Sequence, residues 1–257
     1  IADIVDNSIS SGANTIQLYF DWDDQTILIA DNGKGMQKRE LLDSMKIGSS
    51  DPGVTRSASD LGRFGMGMKT ASFSLGKQLL VITKQKDEIN NAEWNLEYVE
   101  NEGKWEILIH SDEKIDTYIK SKTDKIEFQN WDEGTLISLS MLDKLIDENN
   151  MQKSKVKFYK TVEKVKKHLA MIFHRFIEED NLQIYVNKNL LEAWNPFIRQ
   201  NPATMEFLGM SVRNGVRYRY YRDEGGAILY DSEPEEGKPE WMIRADKVTR
   251  RRHGIYN

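Results

Sequence analysis

The chain has 257 residues, a formal net charge of −5 and 30 % charged side chains, enough length for one large or two modest hydrophobic cores. It has no cysteine, which excludes disulfides and thiolate metal sites and fits a reducing interior. No apolar run approaches the roughly 20 residues that cross a bilayer, no secretory signal opens the chain, and the acidic total gives no global reason to expect nucleic acid.

Ile1-Ala2-Asp3 opens without an initiator methionine or a preceding strand, the pattern of a fragment of something longer. Ile1, Ile4, Val5 and Ile9 follow helical spacing to about residue 11, where Gly12-Ala13-Asn14 supplies a stop. Asp3 and Asn7 are four apart and share one face of that helix. Asn7 offers a hard oxygen to magnesium, and Asp3 offers a carboxylate that orients or deprotonates an attacking water. A helix face turned to solvent accounts for the same spacing. Two strand-like runs follow at 15–20 and 26–30, joined by an acidic turn.

The second strand delivers Asp31-Asn32-Gly33-Lys34-Gly35-Met36. Here Asp31 can accept a hydrogen bond from the exocyclic amine of adenine. Gly33 and Gly35 allow close backbone approach, and the Met36 thioether can pack on the ring. An ordinary Asn-Gly turn is the alternative. Leu41, Leu42 and Met45 predict a short helix, and 46–61 is small, polar and rich in breakers, as a mobile loop is. Gly62-Arg63-Phe64-Gly65-Met66-Gly67-Met68-Lys69 then leads into a helical stretch ending near Leu75. Its free N–H groups can face phosphate oxygens at the helix start, with Lys69 and Arg63 adding charge. A flexible connector explains that run equally. It is neither a dinucleotide fingerprint nor a Walker motif.

Further on, 78–83 reads as a buried strand, and 93–99 with 104–110 as a hairpin around Asn101-Glu102-Gly103. Residues 111–131 read as partly loop, 134–142 as a strand, and 156–177 as one long amphipathic helix. A new strand at 182–186 places a domain boundary near 178. The remainder reads as strands with polar connections. Lys153, Lys155, Lys157, Lys160, Lys164, Lys166 and Lys167 make a basic stretch that suits either a nucleic-acid contact or a solvated helix face. Arg250-Arg251-Arg252 leaves the same choice. Arg213, Arg217 and Arg219, alternating with Tyr218 and Tyr220, suit either base stacking or an exposed strand. The four histidines lack metal-ligand spacing.

Taken in order, the three motifs resemble the Bergerat-fold ATPases, the group of gyrase B subunits, heat-shock chaperone ATPases, histidine kinases and MutL proteins. Asp3-Ile4-Val5-Asp6-Asn7-Ser8 is similar to their first box, 31–36 to the adenine box, and 62–69 to the phosphate box that ends the lid. Gly134-Thr135 is similar to the element whose threonine assists the aspartate at adenine. The match covers residues 1 to about 142. The wording of 62–72 resembles most the MORC-like branch and its bacterial relatives.

The resemblance implies an α/β (α+β) sandwich with a mixed, mainly antiparallel sheet and helices on one face. It assigns 1–178 to the ATP-binding domain with a lid at about 37–61, and 179–257 to a smaller transducer-like α/β domain. ATP and magnesium are the implied cofactors, Asn7 the metal ligand, and Asp3 and Lys69 the catalytic pair. Asp31, Gly33, Gly35, Met36 and Thr135 would hold adenine, with Gly62, Arg63, Phe64, Gly65, Met66, Gly67, Met68 and Lys69 around the phosphates. Most hydrolysing relatives carry glutamate where this chain has Asp3, which implies slow turnover. Asp6 is a substitute base only if the helix turns. ATP-driven dimerisation through residues upstream of Ile1, a cytoplasmic setting and a larger machine with DNA as candidate partner complete the expectation. A nucleotide-sensing module without turnover, or phosphotransfer of the histidine-kinase kind, are the alternatives.

Overall fold

Helix α1 (Ala2–Ser10) buries Ile4, Val5 and Ser8, in a computed structural model that describes residues 1–46, 67–179 and 182–196 and the backbone of strands at 206–213, 216–222 and 228–232. Its last turn closes through Ala13 N–H donating to the Ser8 carbonyl, which sends the chain back along the sheet. Strands β1 (Thr15–Asp21) and β2 (Thr26–Asp31) form the expected antiparallel hairpin. Helix α2 (Lys38–Met45) buries Leu41 and Met45, the spacing that predicted it. Helix α3 (Gly67–Phe73) leads into β3 (Gln78–Gln85), which pairs antiparallel with β4 (Glu88–Asn95). The rest of the unit is α4 (Leu96–Glu102), α5 (Asp112–Lys120), β5 (Gly134–Ser140), α6 (Met151–Ile172), α7 (His174–Glu179), β6 (Gln183–Val186) and β7 (Asn189–Leu190).

The sheet runs β4-β3-β5-β2-β1-β6-β7. The β1–β6 pair is parallel and the others are antiparallel, so the mixed, mainly antiparallel α+β class stands. Every residue of β2 is buried, which requires cover on both faces. Leu28, Ala30, Leu80, Ile82 and Leu136 pack on one face with Ile115, Ile119 and Phe128. Side chains alternate along a strand, so Asp31, which bonds Ser8 of α1, points to the other face. The expectation of helices on one face is therefore corrected: α5 covers the face opposite α1.

Three further expectations change. Residues 93–99 and 104–110 do not form a hairpin. β4 takes β3 as its partner, Asn95 caps α4 by accepting from Glu97 and Tyr98 N–H, and only a single bridge joins Glu93 to Leu108. The segment read as partly loop contains α5, because Ile115 and Ile119 at helical spacing reach the core. The long helix breaks at Phe173 into α6 and α7.

Two units divide the chain, Ile1–Ala193 and Trp194–Asn257. The boundary expected near 178 falls after Ala193 because β6 pairs with β1 inside the first sheet. In the second unit β8 (Glu206–Arg213), β9 (Val216–Arg222) and β10 (Ile228–Ser232) make an antiparallel sheet ordered β10-β9-β8. Most of the expected lid, Gly62 to Met66 and Arg250 to Arg252 lie outside the described residues.

Candidate functional site

Asp31 ends β2 with its carboxylate buried. One oxygen accepts from Ser8 Oγ at 2.8 Å and the other from Gly33 N–H at 2.9 Å. Burial pushes its pKa up, against the pull of hydrogen bonds from Gly33 N–H, Ser8 and Thr135 N–H. No cation stands among these partners. Ser8 projects there because it sits one turn after Ile4 on the buried face of α1, which brings its neighbour Asn7 to the same end of the sheet.

The turn after Asp31 is fixed by tight approaches. A β-carbon on Gly33 would stand 2.0 Å from Ser11 Oγ and 3.0 Å from a carboxylate oxygen of Asp31, so a larger residue there displaces the Ser11 hydroxyl and crowds Asp31. Gly35 has φ +63°, and a β-carbon on it would lie 1.8 Å from the Lys84 carbonyl oxygen; both the left-handed backbone and the space demand glycine. Gly35 thus brings backbone against backbone within the protein, and Gly33 leaves room for the Ser11 and Asp31 side chains. Met36 N–H donates to Thr83 Oγ1 at 2.8 Å, and Thr83 Oγ1 donates to the Gly134 carbonyl at 3.1 Å. Thr135 Oγ1 stands 3.5 Å from the Thr83 hydroxyl. Thr135 is the register partner of both Asp31 and Thr83, so strand pairing alone assembles Asp31, Thr83 and Thr135 on one face. Met36 is half-buried beside them.

Asp3 and Asn7 are exposed and share a face of α1. Asp3 borders a cleft of about 370 Å³ between the start of α1, the residues after α3 and α6, where Ser74, Thr161, Lys164 and His168 also line the wall. Lys69 is buried, and its ammonium donates to the carbonyls of Ser44, at 2.8 Å, and Lys46. Burial lowers its pKa. It therefore closes the C-terminal end of α2, where a cation also meets the negative end of the helix dipole. Gly67 and Met68 open α3.

The structure brings Asp31, Gly33, Gly35, Met36 and Thr135 together, with α1 carrying Asn7 alongside. Lys69 engages protein carbonyls. Ser8 and Thr83 were missed. Ser8 had a signal, a hydroxyl on the apolar stripe of a helix. Thr83 closes the run Leu79-Leu80-Val81-Ile82 and had none.

Residues 1–132 match the family model described as histidine kinase-, DNA gyrase B- and HSP90-like ATPase. ATPase morc-1 of Caenorhabditis elegans is 35 % identical over 94 residues, 36 % of this chain and 10 % of that protein. MORC family CW-type zinc finger protein 3 of Mus musculus is 28 % identical over 107 residues, 39 % of this chain and 11 % of that protein. ATPase MORC2 of Homo sapiens is 25 % identical over 114 residues, 42 % and 11 %. The chain thus matches about a tenth of the length of these relatives. The crystal structure of the ATPase and transducer domains of DNA topoisomerase II from Balamuthia mandrillaris aligns with TM-score 0.46 and 17 % identity, over 86 % of this chain and 54 % of that one.

Proposed function

Since the chain belongs to the histidine kinase-, DNA gyrase B- and HSP90-like ATPase family, we propose that it binds ATP at the end of β2 and hydrolyses it slowly. One observation carries this reading: a buried carboxylate, Asp31, that meets only neutral donors beside a glycine turn. A carboxylate has about four lone-pair sites, and Ser8, Gly33 and Thr135 use three. An amine donor such as that of adenine fits the remaining capacity, with Met36 against the ring and Thr135 at its edge.

Gly62, Arg63, Phe64, Gly65, Met66, Gly67, Met68 and Lys69 take the polyphosphate in this reading. Lys69 does so by exchanging the carbonyls of Ser44 and Lys46 for phosphate oxygens. Those carbonyls end α2, so the exchange alters the start of the 37–61 lid and couples nucleotide to its closure.

Asn7 would hold magnesium, whose preference for few protein ligands fits one exposed amide oxygen. When bound, magnesium offsets the charge that develops on the transferred phosphoryl group. Asp3, one helical turn away, orients the water and accepts its proton. Its side chain is one methylene shorter than glutamate, which withdraws the carboxylate by about 1.5 Å, and a misplacement of that size costs roughly a hundredfold in rate. ATP-dependent homodimerisation, a cytoplasmic setting and a transducer role for the three-stranded unit belong to the same reading, the last on chain order alone.

Calorimetry with ATP and magnesium, followed by single-turnover ADP formation, tests it. The native chain forms ADP slowly, Asn7→Ala forms none, and Asp3→Glu accelerates the step by about ten- to a hundredfold. Heat of binding without ADP above the Asn7→Ala control would establish a nucleotide-sensing module instead. No heat at millimolar ATP overturns the site.

A further inference from the structure

Helix α6 carries seven lysines and one glutamate in twenty-two residues. Five of the lysines, Lys153, Lys157, Lys160, Lys164 and Lys167, are spaced four, three, four and three apart, and all are exposed. At 3.6 residues per turn they fall within an arc of about 80°, and at 1.5 Å per residue they extend over about 21 Å. Phe158, Val162 and Leu169 on another face of the helix are buried, so packing holds the stripe outward and rigid.

The stripe is only partly relieved. Lys164 shares a cleft wall with Asp3, and Glu163 lies three residues from Lys160 and four from Lys167. Neither carboxylate forms a direct ion pair with the stripe. Glu163, the single acid of the helix, pairs at 3.1 Å with Lys166, which lies off the stripe. Lys155, also off the stripe, stacks over Trp22. Lys157 donates to the Lys144 carbonyl at 2.5 Å, which leaves its charge uncompensated. Among the described residues none of the five has a carboxylate within ion-pair distance. Like charges three and four apart on a helix oppose folding by about 0.2–0.5 kcal/mol per pair, and this helix retains four such neighbours in succession.

We propose that this face of α6 is a docking surface for the phosphate backbone of a nucleic-acid duplex. A duplex carries one phosphate charge about every 1.7 Å of axis, both strands counted. Because each strand winds around the axis, a straight stripe of about 21 Å meets roughly three or four phosphates where it crosses the backbone. Ammonium groups on long, flexible lysine stems can reach phosphates on either side of that crossing. Lysine without arginine or an aromatic ring in the stripe suits backbone contact rather than base reading. An anionic membrane is the competing partner that the vesicle arm of the test must exclude, because Val156 and Tyr159 are exposed on the same helix although none of the five stripe positions is apolar. The overall charge of −5 does not oppose this, since salt screens charges beyond about 8–10 Å.

The test uses the 257-residue chain, a fluorescent 20-base-pair duplex of arbitrary sequence in DNA and RNA forms, and anionic vesicles, all without nucleotide triphosphate. Failure here therefore leaves the ATP reading untouched, and the reverse holds. Binding is followed by anisotropy from low to moderate salt. Replacing the five stripe lysines by glutamine lowers the slope of log affinity against log salt by about three, at about 0.9 per phosphate contact. Replacing Lys86, Lys104, Lys114, Lys120 and Lys188 by glutamine removes the same charge elsewhere and preserves most of the slope. The stripe in arginine form retains binding, and it decides the matter if the glutamine form melts early. Equal affinity for DNA and RNA identifies the backbone as ligand, and preference for one identifies its groove geometry; either supports the surface. Loss of binding in the distributed variant as large as in the stripe variant overturns it, as does binding to vesicles alone.

Discussion

Asp21 and Asp31 end adjacent strands of one hairpin, and each keeps 6 % of its surface exposed. Their surroundings are opposite. Asp21 accepts from Asp23 and Asp24 N–H and pairs with the Lys125 ammonium, while Asp24 takes Lys122 at 2.8 Å and Lys125 at 2.6 Å. Burial pulls the Lys125 pKa down, but the hydrogen bonds its ammonium donates to Asp21 and Asp24 push it well above the usual lysine range. The Lys122 and Lys125 bonds hold Asp24 at about 2. Asp31 has neutral donors and a raised pKa. A buried carboxylate that is complete within the fold carries its own cation; one that is incomplete leaves capacity for a ligand.

The largest expected effect separates the two in binding. Asp31→Asn removes a charged acceptor and places an amide where the ligand donor approaches. ATP affinity then falls by about 10- to 150-fold, the 1.5–3 kcal/mol of a hydrogen bond to a charged group. Asp21→Asn leaves affinity unchanged. Titration calorimetry of both variants checks this, and equal losses would break the contrast.

Stability inverts the order. Asp21→Asn leaves the half-buried Lys125 with Asp24 as its remaining partner, and denaturant unfolding shows a loss of about 1–2 kcal/mol, below the cost of wholly breaking a buried pair. Asp31→Asn relieves a buried charge, keeps the Gly33 N–H bond on the amide oxygen, and lets Ser8 turn its hydroxyl to the Ile4 carbonyl 3.2 Å away. Its midpoint is unchanged or higher at neutral pH.

Much of this contrast is visible in the sequence, though unevenly. The hairpin and Asp31 follow from two apolar runs around an acidic turn, and the Asn-Gly signal marks the glycine turn. Asp21 reads as one more acid of that turn, because its lysines lie about a hundred residues away and no local pattern couples them. Helix α5, which brings Lys122 and Lys125 near, is hidden in polar sequence with only Ile115, Tyr118 and Ile119 at helical spacing. The first half of the edge strand β4, Glu88-Ile89-Asn90-Asn91, is too polar to read as a strand, and only its end falls within the strand read at 93–99. Lys69 reads as a phosphate ligand, and its bonds to backbone carbonyls depend on where α2 ends in space.

A pH series sharpens the comparison next. The folded pKa of Asp31 lies above its unfolded value, near 3.9. Its contribution to stability is therefore greatest below the unfolded value and is lost as pH rises through the folded one. Asp24 has the reverse sign: its contribution is present above the unfolded value and is lost as pH falls toward about 2. ATP affinity needs ionised Asp31, so on acidification binding declines while the ion pairs of Asp24 with Lys122 and Lys125 still hold. Calorimetric titrations and thermal melts at matched pH read the two curves, and their coincidence would refute separate roles.

The smallest effect concerns Ser8. Its hydroxyl supplies one of the bonds that favour ionised Asp31, so Ser8→Ala drives the carboxyl pKa further up. The methyl fits the buried space left by the hydroxyl, and Ile4 O keeps its helical N–H, so unfolding changes by no more than about 0.5–1.5 kcal/mol. At alkaline pH, where Asp31 is ionised in both proteins, the variant binds ATP within about twofold of the native chain, because Ser8 makes no bond to the ligand in this arrangement. Near neutral pH the gap widens, and the midpoint of the affinity–pH curve moves upward. A pH-independent loss would instead place Ser8 in direct contact with the nucleotide. The shape of that curve therefore tells whether the serine tunes the aspartate or joins it.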